Sequence, residues 1–390
     1  MKERKNLGLY LHIPFCAKKC DYCDFYSFTP ENDKFMESYV SAMMLQMEDI
    51  SSSCRANSVD TVYFGGGTPS LLPISQLSRL MDSVKRNFKV LKEAEITLEV
   101  NPGTVDKKYL KALKKLGVNR LSIGLQSADP KELKSLGRIH TAEKFGETYN
   151  SARDAGFDNI SLDIMYGLPG QKMESFKRTL DFALGFDPDH ISLYCLKIED
   201  GTPFAKRKDS LSLPDDDTEF DMYCYATELL RRFGYERYEM SNFAKNGRYS
   251  RHNIKYWNCE EYIGIGASAH SYLAGERYSV IRNAEIYING LEILEAGIKI
   301  IDESRFIDRN ESMNEYVMLR MRLDAGVDGA EFKNRYGEDF YLKFGQYLDE
   351  YIEGGFVRKV GNRYSFTTKG MFVSNYILSS VLDFSPDELA

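Results

Sequence analysis

No stretch of this 390-residue sequence approaches the ~18 uninterrupted apolar residues needed to cross a bilayer. The polar start from Met1 to Gly8 has no apolar signal region behind it, so a cytoplasmic chain is expected. Positive charge is not in excess: 51 Lys and Arg stand against 58 Asp and Glu, a net charge of −7. That balance argues against broad binding along a phosphate backbone. Low-complexity tracts and internal repeats are also missing, and 43% hydrophobic residues exclude the disordered and fibrous classes. The length has room for two or three domains of roughly 100 to 200 residues. A disulfide framework is absent too. Of seven cysteines, Cys54, Cys195, Cys224 and Cys259 are scattered singly, as reduced structural thiols are. Cys16, Cys20 and Cys23 crowd together without an obvious fourth.

What is present is alternation. Short β-branched and aromatic runs at Leu9 to Ile13, Thr61 to Phe64, Ile96 to Val100, Leu121 to Leu125, Ile160 to Met165 and Ile191 to Leu196 read as strands. Amphipathic segments follow them around Phe35 to Met47, Ile74 to Phe88, Lys107 to Leu116, Ala142 to Ala155, Met173 to Phe182 and Asp217 to Phe233. Six β-then-α units imply an α/β fold of parallel strands with right-handed crossovers, either an open sheet or a barrel-like one. Polar or glycine residues end nearly every strand: Cys16, the run Gly65-Gly66-Gly67-Thr68-Pro69, Glu99 and Asn101, Gln126, Asp163 and Tyr194. In a parallel barrel those ends form one face, where active sites are assembled.

The remainder reads differently. Residues 240–300 hold tyrosines, the single Trp257 and the run Gly264-Ile265-Gly266-Ala267-Ser268-Ala269-His270. From Asp308 come helical patterns, then a hairpin around Gly354 to Thr367 and a last helix, which suggests a winged-helix-like appendage. Residues 311–390 carry 9 Lys and Arg against 13 Asp and Glu, so no nucleic-acid partner is expected. The domains are accordingly drawn as 1–240, a connecting segment 241–305 and 306–390.

Three thiolates spaced four and then three residues apart on one loop can hold an iron-sulfur cluster or zinc. Structural zinc wants four protein ligands, and His12 is the nearby candidate for the fourth. A cubane with three protein ligands leaves one iron open. Lys18 and Lys19 set positive charge beside the thiolates, and Tyr22 and Phe25 supply aromatic cover.

Cys16-x3-Cys20-x2-Cys23 with Tyr22, followed by Gly65-Gly66-Gly67-Thr68-Pro69, resembles the radical S-adenosylmethionine (SAM) enzymes. The string Leu11-His12-Ile13-Pro14-Phe15-Cys16 is similar to the group that contains oxygen-independent coproporphyrinogen III oxidase and HemW-type haem chaperones. The resemblance implies a partial (β/α)6 TIM-like barrel with a smaller, mostly helical, winged-helix-like C-terminal domain. It implies a [4Fe-4S] cluster on Cys16, Cys20 and Cys23, with SAM on its fourth iron. Tyr10, Tyr22, Gly66, Gly67, Thr68 and Glu99 match positions around that SAM. Gln126, Arg138 and Asp163 match polar positions around a second one in the oxidase. Read alone, Glu99 and Asp163 could equally be caps or ion-pair partners, and Arg138 a solvated charge. Met36, Met43, Met44 and Met47 have the helical spacing of core filling.

Two departures separate oxidase from chaperone. The oxidase carries a fourth cysteine two positions after the third, where this chain has Phe25, and a longer arm before the first strand. The segment His252-Asn253-Ile254-Lys255-Tyr256-Trp257 resembles a HemW-type haem signature, which implies His252 as an iron ligand beside two flat aromatic surfaces. His270 is the less certain alternative, because its glycine-spaced motif could face the cofactor instead. The expectation is a chaperone that binds haem, a [4Fe-4S] cluster and SAM and passes haem to an acceptor protein, with any membrane association peripheral and through that acceptor. No catalytic residue is assigned. The alternatives are a radical enzyme that decarboxylates porphyrinogen propionates and a zinc-stabilised binding module.

Overall fold

The computed structural model describes residues 6–55, 57–292 and 300–382. Six parallel strands form where the apolar runs lie: β1 (Leu7–Ile13), β2 (Ser58–Gly66), β3 (Lys89–Val100), β4 (Arg120–Gln126), β5 (Ile160–Tyr166) and β6 (His190–Cys195). Helices α1 (Asp33–Cys54), α2 (Ile74–Asn87), α3 (Lys107–Leu116), α4 (Pro130–Ser135), α5 (Ala142–Asp154) and α6 (Met173–Leu184) connect them. Side-chain caps start several of these helices: Asn32 accepts from the Phe35 amide before α1, and Asp106 from the Tyr109 amide before α3. Met36, Met43 and Met47 of α1 are buried and fill core.

The chain divides into two compact units, Met1–Glu219 with Glu261–Phe306, and Phe220–Glu260 with Ile307–Ala390. Residues 241–305, expected as one connecting segment, therefore contribute to both. In the first unit the sheet continues beyond β1 through a parallel strand Tyr262–Ile265 and three antiparallel strands, His270–Leu273, Glu276–Val280 and Ile301–Phe306. The glycine-spaced run thus forms a strand and its exit turn. Gly264 fits because a Cβ there would lie 2.3 Å from the His270 carbonyl oxygen. His270 itself opens its strand exposed to solvent.

The six parallel strands share one pattern. Leu9, Leu11 and Ile13, Val62 and Phe64, Leu98 and Val100, Leu121, Ile123 and Leu125, Ile160, Leu162 and Ile164, and Ile191 and Leu193 point to one face and are buried. The alternate positions are polar: Tyr10 and His12, Thr61 and Tyr63, Thr97 and Glu99, Arg120 and Ser122, Ser161 and Asp163, His190 and Ser192. Parallel sheets covered on both faces usually read as continuous hydrophobic runs. Here the second face is polar yet largely withdrawn from solvent, so its groups must bond one another or a guest.

The second unit pairs helices such as Arg309–Arg320 and Gly329–Tyr336 with a three-stranded antiparallel sheet, ordered Val327–Asp328, Arg363–Phe366, Val357–Val360. Phe332, Phe340, Phe344 and Tyr364 close its core. No helix among the described residues is long and apolar enough to cross a membrane.

Candidate cofactor site

The cysteine loop leaves β1 at Pro14 and is sealed at its root. The Cys16 amide donates to Phe28 O (2.9 Å) and the Phe28 amide to Pro14 O (2.8 Å), so Phe15 and Phe28 form a one-rung parallel bridge. Phe15 is fully buried against the edges of Phe28 and Phe35. Cys16 is buried at this root, while Cys20 and Cys23 lie further out and are half-buried. The Cys23 amide donates to Cys20 O (3.3 Å), which turns the outer arm back on itself.

The glycine turn at the end of β2 fits against that root. The Gly67 amide donates to Ile13 O (2.8 Å) and the Thr68 amide to Phe15 O (2.7 Å). Each glycine faces a different neighbour. A Cβ on Gly67 would meet Cys16 Sγ at 3.0 Å and Phe15 O at 2.8 Å; one on Gly66 would meet the His12 ring at 2.7 Å. Gly66 also has φ +115°, which disfavours any side chain. The Gly66 amide donates to Glu99 (3.2 Å), whose other oxygen accepts from Tyr63 Oη (2.8 Å). Burial raises the Glu99 carboxyl to about 7, although the Tyr63 hydrogen bond pulls the other way.

A chain of side-chain bonds reaches Cys16 through Thr68 of the same turn. Arg138, just past α4, donates from Nη2 to Tyr22 Oη (2.8 Å) and from Nη1 to Asn101 Oδ1 (2.8 Å). Asn101 Nδ2 donates to Thr68 Oγ1 (2.7 Å), and the same hydroxyl shares a hydrogen bond with Cys16 Sγ at 3.5 Å. Burial raises the thiols of Cys20 and Cys23, and the Arg138 charge counteracts this at Cys20. Despite its burial, Arg138 is held above its usual range by Tyr22 and the two thiols. A cleft of about 390 Å³, including its open mouth, lies between Cys20, Thr68, Asn101 and Arg138.

His12 is spent. Its Nε2 lies 2.8 Å from Tyr26 O, a carbonyl that only accepts, so Nε2 carries the proton and Nδ1 accepts from Tyr10 Oη (3.0 Å). Burial lowers its pKa to about 4. With both nitrogens committed, the fourth ligand that zinc would need is not His12. Among the described residues no three His, Cys, Asp or Glu side chains are already drawn together as a metal cage. The donor set nevertheless fits a thiolate-held cluster. Three soft ligands share one loop, no Cβ crowds Cys16, and Arg138 Nε is buried without a hydrogen-bond partner at the edge of the cleft.

The other sequence-predicted residues follow the polar face. Asp163 accepts from Ser122 (3.0 and 3.2 Å), and burial raises its carboxyl. Gln126 is buried at a β-bulge with φ +66°, and its amide would touch a Cβ on Gly124. Tyr10, Tyr22, Gly66, Gly67, Thr68, Glu99, Gln126, Arg138 and Asp163 thus all belong to the first unit. Sequence reasoning gave Asn101 no role beyond ending a strand and did not single out Tyr63. The alternation of Thr61 and Tyr63 with Val62 and Phe64 in β2 was the signal for Tyr63.

His252 belongs to the second unit, on the helix Arg251–Trp257 capped by Ser250. It is 1% exposed, and its Nε2 lies 2.8 Å from Tyr256 Oη. Tyr256 and Trp257 are partly exposed.

Residues 10–183 match the model of the Radical SAM superfamily, and residues 307–373 that of the HemN C-terminal domain. The chain is 34% identical over 376 residues to a Bacillus subtilis protein named Heme chaperone HemW, covering 96% of this chain and 98% of that one. It is 33% identical over 389 residues to the Escherichia coli protein of the same name, covering 98% and 100%. In fold it is similar to coproporphyrinogen III oxidase (HemN) from Escherichia coli, with a TM-score of 0.86 at 23% identity over 98% of this chain and 91% of that one. These matches run along nearly the whole chain, and the chain belongs to the HemW family of the Radical SAM superfamily.

Proposed function

We propose that this protein is a haem chaperone that carries a [4Fe-4S] cluster on Cys16, Cys20 and Cys23, holds SAM beside it and hands haem to an acceptor protein. The observation that carries the cofactor half is the convergence on Cys16. Gly67 packs against it without a Cβ, and the Arg138–Asn101–Thr68 chain ends on it through the Thr68 hydroxyl of the same turn. When bound, the cluster supplies one-electron chemistry and an open iron for the amino and carboxylate groups of SAM. Around it the chain offers the carboxyl of Glu99, held by the Gly66 amide, and the fork of Arg138, whose planar donors suit a carboxylate. Gln126 and Asp163 line the same polar face.

The haem half rests on family membership and on His252-x3-Tyr256-Trp257. Ligation by His252 would exchange the Tyr256 hydrogen bond for iron, and the two aromatic rings would cover the macrocycle. The test is paired: reconstitute the cluster anaerobically, titrate haem by absorbance with wild type and His252→Ala, and search by mass spectrometry for decarboxylated porphyrinogen. A chaperone shows a changed haem spectrum in the variant and no decarboxylated product above the cluster-free control. Product above that control identifies an oxidase instead, and an unaltered spectrum in His252→Ala removes His252 as ligand.

A further inference from the structure

Asp21, between Cys20 and Cys23, is gripped on three sides. Its amide donates to Leu136 O (3.1 Å), its carbonyl accepts from the Phe204 amide (3.0 Å), and its carboxylate pairs with Arg207. A fourth contact is steric: a Cβ on Gly137 would lie 2.9 Å from Asp21 Oδ1, and Gly137 holds φ +74°. Phe204 is fully buried in an apolar cluster with Leu136, Met165, Leu168 and Leu196, and Tyr22 of the cysteine loop packs against it. The backbone departs from helical geometry at Arg207 (φ −126°, ψ 19°) inside the short 3-10 stretch Ala205–Ser210, and the guanidinium lies 5.0 Å from the Phe204 ring centroid. Thr202 ties off the near end, donating from Oγ1 to Glu199 O (2.7 Å).

None of these groups touches the thiols. They fix the backbone that carries two of the three, whereas Cys16 is fixed independently by the Phe15–Phe28 rung. We infer that residues 199–211 are a brace for the Cys20–Cys23 arm, with Phe204 as its plug and the Asp21–Arg207 ion pair as its latch. The consequence for cluster retention rests on the reading that the three cysteines hold an iron-sulfur cluster. Arg207, Phe204 and Asp21 are positioning residues: they set where two ligands stand without meeting iron.

Two measurements on the full-length chain separate the brace from the cluster. In the metal-free protein, alkylation by iodoacetamide is followed cysteine by cysteine. Arg207→Ala should alkylate Cys20 and Cys23 about fivefold faster, the release expected from losing one partly exposed ion pair, with Cys16 unchanged. In the reconstituted protein, Arg207→Ala should lose iron to a chelator faster by a similar factor. Arg207→Lys should restore most of the wild-type rate in both. Phe204→Leu, which alters no charge, should move both rates the same way, and a thermal melt confirms that the variant is folded. Wild-type rates in Arg207→Ala and Phe204→Leu overturn the brace, as does faster alkylation with unaltered iron retention. A wild type that takes up no iron sinks the cluster reading, while the Cys20 to Cys16 alkylation ratio still decides the brace.

Discussion

The cysteine loop and the His252 helix are the two most motif-like segments of the chain, and the fold treats them oppositely. Around the loop, Cys20 and Cys23 are half-buried beside a cleft, and Arg138 keeps a buried donor without a partner. On the helix, His252 is closed away and its Nε2 is engaged by Tyr256. A site for a resident cofactor can be built ready, because it is filled once. On the proposed reading His252 passes haem on, and a competing internal partner would weaken its binding and speed release. The buried glutamates of the two units make the same contrast. Glu99 retains some exposure on the polar face, whereas Glu239 is fully enclosed and is answered by the Ser241 amide (2.9 Å) and the Asn242 side chain.

The largest effect should come from Cys16→Ala. Removing the ligand on which the Arg138–Asn101–Thr68 chain ends should abolish the cluster, read as iron and sulfide content, while haem absorbance tied to His252 persists. Loss of both signals would make the two regions a single site and break the contrast.

Next is pH. Burial raises Glu99 and Glu239 from 4.5 to about 7 in each unit, so the fold favours their neutral forms. Their contribution is complete below the ordinary carboxyl range and is lost as pH rises through about 7. Urea unfolding of the metal-free protein should therefore show lower stability at pH 8 than at pH 5. Each glutamate should account for on the order of 2 kcal/mol, less for Glu99 because water reaches it. Glu239→Gln should flatten the profile more than Glu99→Gln; the reverse order would mean that the polar face excludes water better than the core of the second unit.

The smallest change is Tyr256→Phe. It takes the Tyr256 hydroxyl away from His252 Nε2 at a cost of about 1 kcal/mol in stability, and haem affinity should rise about fivefold in an absorbance titration. Unchanged affinity would show that the hydrogen bond does not compete with iron.

Much of this was legible before any coordinates. The six apolar runs coincide with the six strands, the last overrunning its strand only at Leu196, because alternating β-branched residues can satisfy a buried face only when extended. The three cysteines and the glycine turn were legible because their spacing is local. The short helix α4 was missed, since six residues carry almost no periodicity. The strand at Gly264 was not foreseen in the glycine-spaced run, because the reason for glycine there is a carbonyl from another strand. His12 stood as a fourth zinc ligand until Tyr10 and Tyr26 took both its nitrogens. The brace was invisible for a plainer reason: Asp21 and Arg207 are 186 residues apart, and no local pattern encodes their meeting.

The three consecutive glycines of the β2 turn have a practical corollary for anyone mutating this protein. Each excludes a methyl group for its own reason: Gly65 faces Tyr63 and Glu99, Gly66 the His12 ring, and Gly67 the Phe15 carbonyl and Cys16. The three constraints are independent, so no single compensating change elsewhere can relieve more than one of them. A saturation library should come back empty at all three codons. It should tolerate replacement better at Gly146, which sits in α5 with ordinary helical backbone and whose added Cβ would come no closer than 3.3 Å to the Phe186 ring. That difference would mark out the turn without any cofactor in the tube.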